Sequence, residues 1–412
     1  MIMGVSLLNL FNLLYHFFMV RSLPPIDYGH LNSLLALFMV ISVPSGTVQT
    51  TVMKFISSYQ VQNQYDRTRG LLRHLLVGIS MVAFAIFLLI SLGSSLISSF
   101  LQISSNGSII LFGTGLLFAM VIPVSWGGLQ GLQRFGSLAL NLILNGGIKL
   151  GFGILFVLLG LGVSGALGAI ALSYFLTTLL SVFMLGTYLP KGEVVSLRGQ
   201  KLQGYDRSYF SEVYPYFLPV GITLLCFMVL TNIDFILVKH FFTPMEAGYY
   251  SIAQMVGKII LFLPVPVVMV MFPKLSSLLG QEKKAFLILR QSLMIAVLLC
   301  GIALTLGLLF PALIIKILTG KIYGECIPLI RFFCVNMTFF SLAFILLYYH
   351  LSTQTRSFLY PLIFLTFTQI GLILFFHKSL SQVLLVVAIV GFCLLGTNLF
   401  LIYRPHQKES QR

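Results

Sequence analysis

Residues 75–93 read LLVGISMVAFAIFLLISLG, nineteen positions without a charged side chain. That is close to the ~20 apolar residues with which a helix crosses the hydrocarbon of a bilayer. Reading apolar runs between polar breaks gives twelve such segments, at 2–20, 31–53, 74–98, 108–128, 137–160, 163–188, 213–238, 247–272, 287–313, 327–350, 358–377 and 382–403. The expected fold is an all-α polytopic membrane protein of about 12 transmembrane helices.

Composition agrees. Of the 412 residues, 58% are hydrophobic and 8% charged, against about 25% charged in a soluble domain. With a mean hydropathy of +1.01, a cytosolic enzyme, a nucleic-acid binder and a disordered chain are excluded. The net charge of +15 is a matter of sidedness rather than of nucleic acid. With the N-terminus inside, 17 Lys and Arg fall on the cytoplasmic side, 5 outside and 3 within spans. This positive-inside bias predicts both termini in the cytoplasm of a cell (inner) membrane, with the basic loops facing anionic membrane lipids. The N-terminal run from Ile2 to Val20 lacks a basic leader and an A-x-A site, and is read as the first span rather than a cleaved signal.

The longest polar interruption, 189–212, holds Lys191, Glu193, Arg198, Lys201, Asp206, Arg207 and Glu212. It predicts an N-terminal six-helix lobe over 1–190, a cytoplasmic linker over 191–212, a C-terminal six-helix lobe over 213–404 and a cytoplasmic tail over 405–412. The halves repeat. Pro25-Ile26-Asp27-Tyr28-Gly29 is matched at an offset of 219 by Pro244-Met245-Glu246-Ala247-Gly248. At an offset of 220, Asn12 meets Asn232, Pro44 meets Pro264 and Lys54 meets Lys274. Six spans per half give both halves one orientation, a parallel repeat.

The same residues carry a family likeness. Arg21-Ser22-Leu23-Pro24-Pro25-Ile26-Asp27-Tyr28-Gly29 resembles the R-x-L-G-P-x-x-Y-G segment of polysaccharide transporters, with Pro24 where that family carries glycine. Asn232-Ile233-Asp234, Glu246-Ala247-Gly248-Tyr249-Tyr250-Ser251-Ile252-Ala253, Phe272-Pro273-Lys274-Leu275 and Gly131-Leu132-Gln133-Arg134 are similar to other segments of it. The resemblance implies the oligosaccharide-lipid flippase branch of the multidrug/oligosaccharidyl-lipid/polysaccharide (MOP) superfamily, with a MATE-like fold of two lobes opening alternately. It implies a polyprenyl-pyrophosphate-linked oligosaccharide as cargo, and polysaccharide polymerase or glycosyltransferases as partners.

An ionisable group at mid-membrane costs about 2.5–3.5 kcal/mol on insertion scales, so each is a functional candidate. Lys149 lies near mid-depth in the fifth span, and Asn141, Asn145 and Lys149 recur at i, i+4, i+8 as one expected polar face. That face suits either a cavity wall for phosphate and sugar or a polar contact inside one lobe. Lys258 in the eighth span follows Gln254 by four, and precedes Pro264 and Pro266, which predict a bend. It suits either a phosphate or a salt bridge to Asp234. Asp234 is the one carboxylate well inside a span, open to a proton, Na⁺, Lys258, Lys239 or His240. Arg21 and Arg331 sit near outer ends, for an exit path or for snorkelling.

No nucleotide loop, HExxH, GxSxG or metal-ligand spacing is present, so neither enzymatic activity nor any cofactor or metal is expected. Cys226, Cys300, Cys326, Cys334 and Cys393 fall in or beside apolar runs, as core residues do. The expected substrate-binding set is Lys149, Lys258, Asn145, Gln254, Arg21 and Arg331, with Asp234 as ion-coupling residue or internal pair. The competing readings are a cation-coupled multidrug antiporter and a non-transporting partner of a polysaccharide assembly complex.

Overall fold

A computed structural model describes residues 2–62, 64–103, 105–188, 207–276, 282–353 and 355–409. The expected linker lies outside these up to residue 206. The chain divides into two compact units, Met1–Val213 and Tyr214–Arg412. The described residues are mostly helical and include no strand.

The first unit comprises α1 (Ile2–Ser22), α2 (Pro25–Ile41), α3 (Val43–Val61), α4 (Tyr65–Leu92), α5 (Ser94–Phe100), α6 (Asn106–Gly131), α7 (Phe135–Leu158) and α8 (Gly162–Tyr188). Next come α9 (Arg207–Leu230), α10 (Ile233–Phe241), α11 (Pro244–Phe262), α12 (Val265–Ser276) and α13 (Glu282–Leu309). The chain closes with α14 (Pro311–Thr319), α15 (Cys326–Ser352), α16 (Leu359–Phe375) and α17 (Leu380–Glu409). Among the described residues, ten helical stretches are long and apolar enough to span a bilayer, and the bent pair α2–α3 makes eleven. The shorter apolar helix α16 stands where the eleventh sequence segment was expected.

Backbone breaks recur in matching places. The second span of each unit is interrupted, at Ser42 between α2 and α3 and at Leu263-Pro264 between α11 and α12. Pro44 and Pro264, repeat equivalents, sit at these breaks, where a ring without an N–H removes a helical hydrogen bond. The bend expected from Pro264 is present as a break, yet the sharper one, 41°, lies at Pro44 in the first unit. The third span of each unit is a 28-residue helix, α4 or α13, followed after one residue by a short helix, α5 or α14. The first spans differ: α1 is continuous, whereas α9 and α10 are separated at Thr231-Asn232.

At the centre of each unit stands its fourth span. α6 packs on α3, α4 and α8, and α15 on α11, α13 and α17. Lipid tails are as apolar as leucine, so close backbone approach and side-chain hydrogen bonds hold such helices together. Gly127 and Gly131, one turn apart, let α6 meet α3. A Cβ on Gly127 would stand 2.5 Å from the Gln49 carbonyl oxygen, and one on Gly131 2.8 Å from Ile56 Cβ. Gln49 Nε2 donates to Gln130 Oε1 at 3.2 Å across the same crossing. In the second unit Ser341 Oγ donates to the Ile260 carbonyl at 3.1 Å, beside the α11–α12 break.

Gly127→Ala and Gly131→Ala should each destabilise the first unit by about 1–3 kcal/mol through overpacking. Gly136→Ala, where a Cβ meets nothing within 4 Å, should be neutral. Thermal unfolding of the purified variants in detergent checks this; equal melting temperatures for all three would contradict the α3–α6 packing.

Candidate functional site

The two mid-membrane lysines are hydrogen-bonded in parallel fashion. Lys149 on α7 donates its ammonium to Asn12 Oδ1 on α1, and Lys258 on α11 donates to Asn232 Oδ1 at 2.9 Å. Asn12 and Asn232 are repeat equivalents, so each unit holds its lysine on the same asparagine of its first span. The lysines come from different helices, however. The residue 220 after Lys149 is Gln369 on α16, whose Nε2 donates to the Leu230 carbonyl at 2.9 Å. The residue 220 before Lys258 is Phe38 on α2, stacked on Tyr174 at 5.7 Å.

Local sequence explains each cradle. On α7, Gly146 and Gly153 let α1 come close, and a Cβ on Gly153 would stand 2.7 Å from the Tyr15 ring. The Lys149 ammonium lies 5.1 Å from the centre of that ring, a cation–π distance. In the second unit the Thr231-Asn232 break frees the last carbonyls of α9. Side chains take them up: Thr231 Oγ1 donates to Phe227 O at 2.8 Å, Asn232 Nδ2 to Met228 O at 2.8 Å, and Gln369 to Leu230 O. Non-helical backbone at membrane depth is stable only when such groups are satisfied internally.

The polar face expected at 141, 145 and 149 divides. Asn141 accepts from Trp126 Nε1 at 2.7 Å and donates to Thr177 O at 3.1 Å, and Asn145 Nδ2 donates to Thr177 Oγ1 at 3.1 Å. These two asparagines therefore tie α7 to α6 and α8, while Lys149 turns toward α1. A spacing of four in a helix of 3.6 residues per turn drifts steadily around the axis, and eight residues bring a side chain to another neighbour.

Asp234 is buried in the first turn of α10, and its Oδ2 accepts the Tyr250 hydroxyl at 2.7 Å. A carboxylate there is favoured by the helix dipole. Lys258 interacts with it through space, while its ammonium hydrogen-bonds Asn232 rather than the carboxylate. Lys239 was expected in an outer loop. It lies inside α10, buried in the last turn, where the dipole favours a cation. Gln254 is fully buried one turn before Lys258. Arg21 is exposed at the end of α1 with its guanidinium 4.6 Å from the Phe17 ring centre. Arg331 is exposed near the start of α15. The residues brought together are thus Lys149 with Asn12, and Lys258 with Asn232 and, at longer range, Asp234. Asn12, Asn232 and Tyr250 were not singled out as partners; the polar pair Thr231-Asn232 inside an apolar run was their sequence signal.

A double-mutant cycle on Asn232→Ala and Lys258→Met should give a coupling of about 0.6 kcal/mol, the average of interhelical hydrogen bonds measured in membranes, and no more than about 1.7 kcal/mol. Unfolding titrations of the four proteins read it; additivity would contradict the bond.

The whole-chain comparisons fit this architecture. The chain superposes on the inward-facing conformation of a multidrug resistance MATE family transporter of the MOP superfamily with a TM-score of 0.81, at 15% identity, covering 100% of this chain and 99% of that one. Lipid II flippase MurJ in its inward closed conformation gives 0.71 at 14% identity, covering 97% and 87%. An outward-facing MATE family transporter gives 0.68 at 16% identity, covering 99% and 94%. At these identities the likeness is one of fold. No curated protein matches the sequence. A family model described as polysaccharide biosynthesis protein does match, over residues 1–279, and the chain belongs to that family.

Proposed function

We propose that the protein is an alternating-access flippase. It moves a polyprenyl-(pyro)phosphate-linked oligosaccharide from the inner to the outer leaflet for cell-surface polysaccharide biosynthesis. The carrying observation is that each unit keeps one mid-membrane lysine on a neutral asparagine rather than on a carboxylate. An asparagine carbonyl satisfies one N–H without cancelling the charge, so the ammonium keeps its attraction for an anion. A compact ammonium on a flexible stem suits phosphate.

In this reading Lys149 and Lys258 take the phosphates and Arg21 and Arg331 act near the exit; Asn145, bonded to Thr177, and the fully buried Gln254 pack inside their units and are not assigned to the sugars. Both termini are cytoplasmic, and the chain performs no bond chemistry. Polysaccharide polymerase or glycosyltransferases are its partners. The membrane potential can supply direction, because an anion moved outward from a negative interior gains about 2.3 kcal/mol per charge per 100 mV. Asp234 is then dispensable for direction. The multidrug antiporter reading rests on Asp234, whose second oxygen, Oδ1, is buried without a hydrogen-bond partner.

Native mass spectrometry separates the two. Wild-type protein should retain a polyprenyl-pyrophosphate oligosaccharide, and Lys149→Ala and Lys258→Ala should weaken that retention. Retention of cationic dyes alone, lost in Asp234→Asn, would reverse the assignment.

A further inference from the structure

In the second unit, α13, α15 and α17 enclose an apolar groove of about 430 Å³. Leu293 and Val297 of α13, Leu346 of α15, and Leu399 and Ile402 of α17 form its walls, and Arg290 is its one charged lining residue. Lys283 lies seven residues before Arg290, two turns away on the same face of α13, and Lys284 is beside it. All three are exposed, and Arg290 has no hydrogen bond or ion pair among the described residues. Lys283 and Lys284 occupy the first turn of α13, where the dipole disfavours positive charge, and Arg290 follows at its ninth position. An anion at this point would offset that cost, and the apolar groove beside it would receive a chain.

We infer that this groove is a binding site for an anionic phospholipid, its phosphate on Arg290 and Lys283 and one acyl chain along Leu293 and Val297. The first unit offers an internal comparison. Arg73 occupies the ninth position of α4, as Arg290 does of the equally long α13. Arg73 is not among the residues that line this groove. Surface charge alone would treat the two arginines alike; a built site would not. The inference is independent of the cargo proposed above, since it concerns only a groove among α13, α15 and α17.

The test is lipid retention by the full-length protein, delipidated and then equilibrated with phosphatidylglycerol or phosphatidylcholine, read by native mass spectrometry. Wild type and Arg73→Gln should retain phosphatidylglycerol in preference to phosphatidylcholine. Arg290→Gln should lower that retention about fivefold, the factor equivalent to about 1 kcal/mol per basic residue at an anionic surface. Val297→Trp, which fills the groove and leaves Arg290 in place, should also lower it, while Arg290→Lys should restore part. Equal losses in Arg73→Gln and Arg290→Gln, or undiminished retention in Val297→Trp, would overturn the site. Displacement of the phospholipid by an equimolar polyprenyl phosphate would overturn the choice of occupant.

Discussion

A lysine ammonium at mid-membrane is costly unless its N–H groups are satisfied from within the protein, and in both units the first span supplies the partner. Asn12 and Asn232 do this from equivalent positions. Much of the surrounding structure follows from that requirement. Gly146 and Gly153 thin α7 so that α1 comes within reach of Lys149. In the second unit the seventh span is interrupted at Thr231-Asn232, which frees the asparagine for Lys258 and leaves α9 carbonyls that Thr231, Asn232 and Gln369 must satisfy. The interruption is tolerated because side chains of the same unit take up the carbonyls of Phe227, Met228 and Leu230.

The two units have kept the asparagine and exchanged the lysine's origin. Position 149 carries Lys where its equivalent 369 carries Gln, and position 258 carries Lys where its equivalent 38 carries Phe. Among the described residues each unit thus holds one lysine on its first-span asparagine, and at position 38 the first unit carries a phenylalanine stacked on Tyr174 where the second carries Lys258. Duplication explains the shared frame, including the broken second spans and the short helices after the third. Divergence at these four positions explains why the charged groups do not lie on matching helices.

Most of the fold was legible in the sequence because lipid permits few architectures: helices with internally satisfied backbones are written as long uncharged runs. The repeat was legible in proline, asparagine and charged residues, which stand out against an apolar background. What the sequence left hidden depends on rotation and on small residues. Asn141, Asn145 and Lys149 look like one face by spacing, but slow drift around α7 hands the asparagines to α6 and α8 and the lysine to α1. The Asp234–Tyr250 bond joins residues on α10 and α11 that no periodic pattern links. The bend at Ser42 exceeds that at Pro264 although both spans carry the proline, so tertiary packing sets the angle once the hydrogen bond is lost.

The most direct measurement is cargo translocation by the full-length protein in vesicles with an imposed membrane potential. A fluorescent polyprenyl-pyrophosphate oligosaccharide serves as substrate. Transport by wild type should run toward the positive side, slow when the potential is collapsed, slow in Lys149→Gln and Lys258→Gln, and keep its direction in Asp234→Asn. Rates unchanged by both lysine substitutions and by loss of the potential would contradict the flippase reading.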